Sequence, residues 1–328
     1  MRLCLTEQVA ELYVDRIRAI SPEIDVVQMH YDGTLSSNGG GIEAFFLSED
    51  SFAQPRERQG ALREARARLA EDAAFRWFHT CAAGYDNPFF QSLIDRGVTL
   101  TNSPGLHARP MAEWVMGAIL VHAKNSVAHQ ASQARNEWNR VRSDELTGRT
   151  VGVVGMGGIG LAVARLAKAF EMRVIGTKRT SFSHADVDAV LPPDRLHELL
   201  TESDYVVLAA PLTNATQGMM GRAEFAAMKS SATLINVARG GLIDEPALIE
   251  ALREGQIAGA SLDVASQEPL PADAALWDAP NCLITPHISQ GSPHSMSRTS
   301  EHFLENLGRF ERGETLLNVV HDTELTTD

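Results

Sequence analysis

Apolar residues along this chain keep two rhythms: short unbroken runs, and longer stretches in which they return every third or fourth position. Runs at 26–29, 44–47 and 75–78 read as strands, and residues 55–71 as a helix. Residues 109–124 form a helical pattern that starts near Pro110, with Trp114, Val115, Ile119, Leu120 and Val121 making it apolar on more than one side. Strand-like runs follow at 150–154, 172–176, 205–209, 232–237, 257–264 and 282–285. Helical patterns lie between them at 161–170 and 245–254, and a last one at 294–313. Regular alternation predicts a doubly wound parallel sheet. Ligands of such sheets bind beyond the carboxyl ends of the strands, so the residues that follow each run are the ones to weigh.

The run 150–154 leads into Gly155, Met156, Gly157, Gly158, Ile159 and Gly160 and then into a helix. Gly155 permits the tight turn, Gly157 removes a side chain that would hold a pyrophosphate off, and Gly160 lets the helix pack closely on the strand. Amides at the helix start then face the anion, which predicts a dinucleotide site. For NAD the next strand should close on an acidic residue that holds the adenosine ribose. It runs instead into Thr177, Lys178, Arg179 and Thr180. Two cations and two hydroxyls suit a 2′-phosphate, so NADP(H) is expected over NAD(H).

Three more strand ends carry chemistry. Arg239 follows the run 232–237 and precedes two glycines, Glu268 lies past 257–264 beside Pro269, and His287 lies past 282–285 beside Pro286. A guanidinium fork holds a carboxylate through two parallel hydrogen bonds, although pairing with nearby Asp244 is the plainer alternative. A histidine beside a carboxylate makes an acid–base unit, because the carboxylate orients the ring and favours its charged form.

Composition narrows the picture. At 328 residues the chain exceeds the roughly 250–300 residues at which single cores stop growing, so two domains are expected. Its 44% hydrophobic and 22% charged residues are those of a folded chain. A formal charge of −13 argues against nucleic-acid or anionic-membrane partners and makes any anionic substrate depend on local cations. Cys4, Cys81 and Cys282 lack C-x-x-C spacing, so buried thiols are expected and neither a disulfide framework nor a metal site. Arg56, Arg58, Arg63, Arg66 and Arg68 interleave with Glu57, Glu64 and Glu71, as on a solvated, ion-paired helix face. Glu7, Glu11 and Asp15 break any signal-peptide core, and no run reaches the length of a membrane span, so a cytoplasmic location is expected.

Together with Ala83-Gly84-Tyr85-Asp86, Met111-Ala112-Glu113, Pro211-Leu212-Thr213 and the stretches 236–241, 263–271 and 285–288, these motifs make residues 80–320 closely resemble the D-isomer-specific 2-hydroxyacid dehydrogenases. That family includes glycerate, glyoxylate/hydroxypyruvate and phosphoglycerate dehydrogenases. The resemblance implies two Rossmann-like doubly wound domains: a dinucleotide-binding domain at 103–288, inserted in a flavodoxin-like substrate domain made of 1–102 and 289–328. It implies that Arg239 binds the substrate carboxylate and carbonyl, that Glu268 supports His287, and that His287 is the proton donor. Ala83 and Gly84 would offer backbone N–H groups to the substrate, with Tyr85 beside them, and His79 and His107 flank these substrate loops. Asp263 would contact the nicotinamide amide, while Met111, Ala210, Pro211, Leu212, Thr216, Val237, Ala238, Ser289 and Gly291 would line the cofactor cleft with Arg239 and His287. Hinges are implied near 101–103 and 289–292, and the helix from 110 to 122 would join two subunits in a homodimer.

Some positions depart from the family pattern. The first 75 residues match weakly, Lys178 stands where an acidic ribose ligand is usual, and Tyr85 stands where a small aliphatic residue is common. The expected activity is hydride transfer between NADP(H) and a small 2-hydroxy or 2-keto acid, in the direction of glyoxylate or hydroxypyruvate reduction. A phosphite-type dehydrogenase of the same fold is one alternative; formate enzymes carry glutamine where Glu268 stands. A non-catalytic, dinucleotide-sensing protein like the corepressors is the other.

Overall fold

The computed structural model describes residues 1–180 and 182–321. They fall into two compact units, Met1–Leu106 with the chain from Ser292 onward, and His107–Gly291. The chain begins in the first unit with β1 (Arg2–Thr6), α1 (Glu7–Ile20), β2 (Asp25–Met29), β3 (Ala44–Leu47), α2 (Arg56–Ala70), β4 (Trp77–Thr80), α3 (Pro88–Asp95) and β5 (Thr99–Thr101). The second unit holds α4 (Ala108–Ala123), α5 (Ser126–Ala134), β6 (Thr150–Val154), α6 (Gly158–Ala169), β7 (Arg173–Thr177), β8 (Ala189–Leu191) and α7 (Leu196–Glu202). It continues with β9 (Tyr205–Leu208), α8 (Arg222–Ala227), β10 (Thr233–Asn236), α9 (Glu245–Arg253), β11 (Gly259–Leu262) and β12 (Cys282–Ile284). The chain then returns to the first unit as α10 (Ser295–Glu311) and β13 (Val319–Val320).

In the first unit β2-β1-β3-β4-β5 are parallel and β13 adds an antiparallel edge, which is the flavodoxin-like order. Phe303 of α10 stacks on Phe46 and Trp77, with ring centres 4.4 and 5.5 Å apart, and so fastens the returning segment to this sheet. In the second unit all seven strands are parallel, in the order β8-β7-β6-β9-β10-β11-β12. The chain winds one way from β6 to β8 and the other way from β9 to β12. In such sheets the reversal, here between β6 and β9, is where a dinucleotide crevice opens. The doubly wound architecture, with one unit set between two segments of the other, agrees with the alternation and with the resemblance.

Helices on both faces explain why the strands read as unbroken apolar runs: β6, β9, β10 and β11 are buried at every position. Leu234 and Ile235 are neighbours in β10 and enter opposite clusters. Leu234 packs with Leu199, Leu248 and Leu262, and Ile235 with Val115, Ile119 and Val163.

The structure also differs from the sequence reading. Helix α6 starts at Gly158, inside the glycine loop, rather than at 161. β4 occupies Trp77–Thr80 rather than 75–78, because Phe75 sits in a turn whose N–H donates to the Asp72 carbonyl. β7 runs from Arg173 to Thr177, so Thr177 ends the strand instead of following it. Two edge elements, β8 and β13, are too short to stand out from the apolar pattern. On α2, Arg56, Arg58, Arg63 and Arg68 face solvent, without ion pairs among the described residues. Arg66 does not: its guanidinium lies 5.7 Å from the centre of the Phe89 ring, and burial, followed by the charge of Arg63, lowers its pKa to about 10. Cys4 and Cys81 are buried free thiols, but Cys282 is only partly covered. Among the described residues no helix is long and apolar enough to cross a membrane, and no cluster of His, Cys, Asp and Glu is suited to a metal ion.

Candidate active site

The strands β10, β11 and β12 end in register, Asn236 beside Leu262 and Leu262 beside Ile284, so the segments that follow them start side by side. Fully buried Asn236 bends the chain after β10. Its Oδ1 accepts from the Ala238 N–H at 3.0 Å and its Nδ2 donates to the Arg239 carbonyl at 2.8 Å, an Asx turn. Arg239 is half-buried with an extended backbone, and its guanidinium donates to the Ala238 carbonyl at 2.8 Å. A Cβ on Gly240 would lie 2.0 Å from the Ala265 carbonyl group, so the backbone after β11 runs directly against the backbone after Arg239. This close approach brings the Glu268 turn to the arginine. Asp244, the local carboxylate considered for Arg239, caps α9 by accepting from the Ala247 N–H at 3.1 Å.

Asp263, buried just past β11, organises the next segment. Its carboxylate accepts from Thr285 Oγ1, from the Ile288 N–H at 2.9 Å and from the Ser289 N–H at 2.8 Å, and its carbonyl accepts from the His287 N–H at 2.8 Å. Residues 285–289 are thereby wrapped around one anion. They hold His287 at φ +56°, in the left-handed region that residues other than glycine adopt uncommonly.

His287 Nδ1 lies 2.7 Å from Glu268 Oε2, and Glu268 Oε1 accepts from the Ala265 N–H at 3.1 Å. An ionised carboxylate can only accept, so Nδ1 carries the proton and Nε2 is the basic nitrogen of the neutral ring. Both side chains are exposed, which leaves Nε2 accessible. Burial pushes the Glu268 carboxyl up, but the hydrogen bond and charge of His287, the Ala265 amide and the charge of Arg239 outweigh it and hold the group below its ordinary range. Glu268 therefore interacts with both other residues of the trio.

The glycine loop follows β6 at the sheet's reversal. Gly155 has φ +101°, and a Cβ there would lie 2.7 Å from the Ala210 nitrogen; one on Gly160 would lie 2.3 Å from the Gly155 carbonyl oxygen. A Cβ on Gly157 would meet no protein atom within 4 Å, and no side chain caps α6. Open space beside uncapped first-turn amides fits a pyrophosphate. Ser289 Oγ is buried without a partner among the described residues, a second polar atom suited to a cofactor. The Met156 side chain is buried against Gly176, so only its backbone serves the loop. Thr177 is likewise buried, and its hydroxyl accepts from the Gly155 N–H at 3.2 Å rather than turning outward. Lys178 Nζ sits 4.2 Å from the centre of the Phe182 ring, while Arg179 and Thr180 are exposed.

Other expected site residues lie as follows. Thr216 Oγ1 donates to the Pro211 carbonyl at 2.7 Å and accepts from the Thr213 N–H at 2.8 Å, closing the turn after β9. Ala210, Val237 and Ala238 are buried, Met111 and Leu212 are half-buried, and Gly291 is the last residue of the second unit. Ala83, Gly84 and Tyr85 follow β4 in the first unit, with the Tyr85 ring packed against the cluster that holds Phe45, Phe78 and Phe90. Sequence reasoning passed over Asn236, Gly240 and Thr285 as individual contributors. An Asn two residues before a backbone bend was the available signal for the first; the other two act through contacts between distant segments.

The depressed pKa of Glu268 makes a stability prediction. Such a group contributes stability above its unfolded value and loses it as pH falls through its folded value. Melting temperatures of the wild type and of Glu268→Gln, compared from about pH 7 down to about pH 3, should therefore converge with acid. A gap that stays constant over that range would show that these partners do not hold the carboxylate ionised.

Residues 116–289 match the pattern of "D-isomer specific 2-hydroxyacid dehydrogenase, NAD binding domain". A glyoxylate reductase of Korarchaeum cryptofilum is 38% identical over 249 residues, 73% of this chain and 74% of that protein. Among solved structures, a D-isomer specific 2-hydroxyacid dehydrogenase of Xanthobacter autotrophicus Py2, in complex with NADPH and MES, superposes with a TM-score of 0.76 at 28% identity, covering 97% of both chains. An NADPH-dependent glyoxylate/hydroxypyruvate reductase of Sinorhizobium meliloti gives 0.75 at 26% identity, covering 97% of this chain and 98% of that one. With the family pattern spanning the unit that carries the His287–Glu268 pair, and an identity this high over nearly three quarters of the sequence, the chain belongs to the D-isomer specific 2-hydroxyacid dehydrogenases, oxidoreductases that act on CH–OH donors.

Proposed function

We propose that this chain reduces small 2-keto acids, glyoxylate and hydroxypyruvate among them, with NADPH, and that Arg239, Glu268 and His287 form its reaction centre. The carrying observation is the 2.7 Å His287–Glu268 pair with Arg239 at hand, past the ends of three adjacent parallel strands. A bound nicotinamide supplies the hydride that reaches C2 of the acid. Arg239 holds the substrate carboxylate and polarises the carbonyl. His287 Nε2 gives its proton to the carbonyl oxygen during reduction and recovers it during oxidation, while Glu268 keeps the Nδ1–H in place and steadies the charged ring. The amides that open α6 hold the pyrophosphate. Asp263 Oδ2 accepts from the Ser289 N–H and keeps a lone pair for the nicotinamide amide.

Glyoxylate reduction is the named activity of the Korarchaeum and Sinorhizobium relatives, and NADPH is the cofactor named for the Sinorhizobium and Xanthobacter proteins. What supports carrying NADPH over is the sequence at 177–180, which offers Lys178 and Arg179 and no carboxylate to a 2′-phosphate. Steady-state reduction of glyoxylate and hydroxypyruvate should give a kcat/KM at least about tenfold higher with NADPH than with NADH, the worth of one charge-assisted contact. Lys178→Glu should erase that margin. Equal or better use of NADH by the wild type would contradict the assignment.

The reading includes a homodimer. Val115 and Ile119 of α4 are fully buried within their own unit, so the helix expected to pair subunits spends much of its apolar face internally. The apolar surface left beside it is Val127 and Trp138, 49% and 95% exposed, and we assign the pairing surface to this arm. Light scattering should return twice the chain mass for the wild type and a shift toward the single chain for Trp138→Glu. A monomeric wild type would overturn this part.

A further inference from the structure

Residues 102 and 103 grip the loop after β4 through two of its carbonyls. The Ser103 N–H donates to the Ala82 carbonyl at 3.0 Å, and the Asn102 side-chain amide donates to the Ala83 carbonyl at 2.7 Å. In a planar trans peptide the carbonyl of one residue and the N–H of the next point in opposite directions. Two consecutive carbonyls turned toward residues 102 and 103 therefore turn two consecutive N–H groups, those of Ala83 and Gly84, away from them and side by side. Neither amide has a partner among the described residues. Adjacent N–H groups on one side of a turn form an anion-binding concavity.

What lies under the clamp is rigid and uncharged. Trp77 Nε1 donates to Thr101 Oγ1 at 2.9 Å, and Thr101 Oγ1 lies 2.7 Å from His79 Nδ1; the Ser103 hydroxyl spends its proton on the Thr80 carbonyl and can only accept from the ring, so Thr101 gives its own proton to Nδ1. The proton of the fully buried His79 ring then sits on Nε2, which faces Ser103 Oγ at 3.4 Å, and Ser103 Oγ donates to the Thr80 carbonyl at 2.9 Å. Burial, and then the neighbouring His302, keep the His79 pKa well below its ordinary value. The residue that flanks this loop is thus a neutral strut, and Asn102, itself buried, lies in sequence between Thr101 and Ser103, two members of this chain of bonds.

We propose that Asn102 is a positioning residue for substrate: by fixing the Ala83 carbonyl it aims the Ala83 and Gly84 amides at the carboxylate of the 2-keto acid. The proposal rests on the reading of those two amides as substrate donors. It adds the side chain that sets their direction.

Asn102→Asp keeps the shape and removes the donor, and Asn102→Ala, which adds no charge, keeps the test open where the first variant fails to fold. With glyoxylate as the probe, KM should rise at least about tenfold while kcat falls less than about threefold and the NADPH dissociation constant, followed by nicotinamide fluorescence, stays within about twofold. An unchanged KM in a folded variant overturns the proposal, and so does a parallel loss of NADPH affinity, which would mark general damage. Gly84→Pro deletes one amide proton and separates the two failures. If it raises KM while the Asn102 variants do not, the amides bind substrate but Asn102 does not aim them; if neither change moves KM, the reading of the loop itself falls.

Discussion

The buried carboxylate of Asp263 is the constraint on which the proposed reaction centre depends. Placing a carboxylate away from water is costly unless donors surround it. Here the donors are two backbone N–H groups and a hydroxyl of one short segment, and the Asp263 carbonyl takes a third N–H from the same segment. The segment cannot relax without leaving the anion unsatisfied, and this holds His287 in a left-handed conformation. The ring that results meets Glu268, whose own turn is pressed against the arginine segment at Gly240. Three strand ends are thus joined through backbone contacts and one carboxylate, and the side chains of Glu268 and His287 are left exposed.

The same logic reconciles a strongly acidic chain with anionic ligands. A net charge of −13 acts at long range and is screened within about 8 Å at physiological salt. On the proposed reading binding is decided closer in, by the guanidinium of Arg239, the cations at 178 and 179, the uncapped start of α6 and the amides after β4. Each is set by backbone geometry more than by an accumulation of basic residues.

Much of this was legible in the sequence, for identifiable reasons. Strands of the second unit are buried on both faces, so they appear as unbroken apolar runs, and a residue just past such a run must lie at a sheet edge. Arg239, Glu268 and His287 were visible on that basis, as was the glycine loop. The cores of strands were read better than their ends, which depend on turns such as the one that removes Phe75 from β4. Contacts between segments far apart in the sequence left no local trace. Neither the approach of Gly240 to Ala265 nor the grip of Asp263 on residues 285–289 follows from periodicity, and the inward turn of the Thr177 hydroxyl could not be separated from an outward one. Arg66 shows the limit of charge patterning: interleaved signs describe a helix face, and a single aromatic neighbour decides where one member goes.

That the imidazole of His287 gives its proton to the reacting carbonyl is the assignment on which the proposed function turns. It is tested most directly by single-turnover reduction of glyoxylate in His287→Ala, followed by nicotinamide absorbance, beside the affinity of the same variant for NADPH. The account predicts a hydride-transfer rate lower by about 10²–10⁴-fold with NADPH affinity changed less than about twofold. A rate close to that of the wild type, with the cofactor equally well bound, would contradict it.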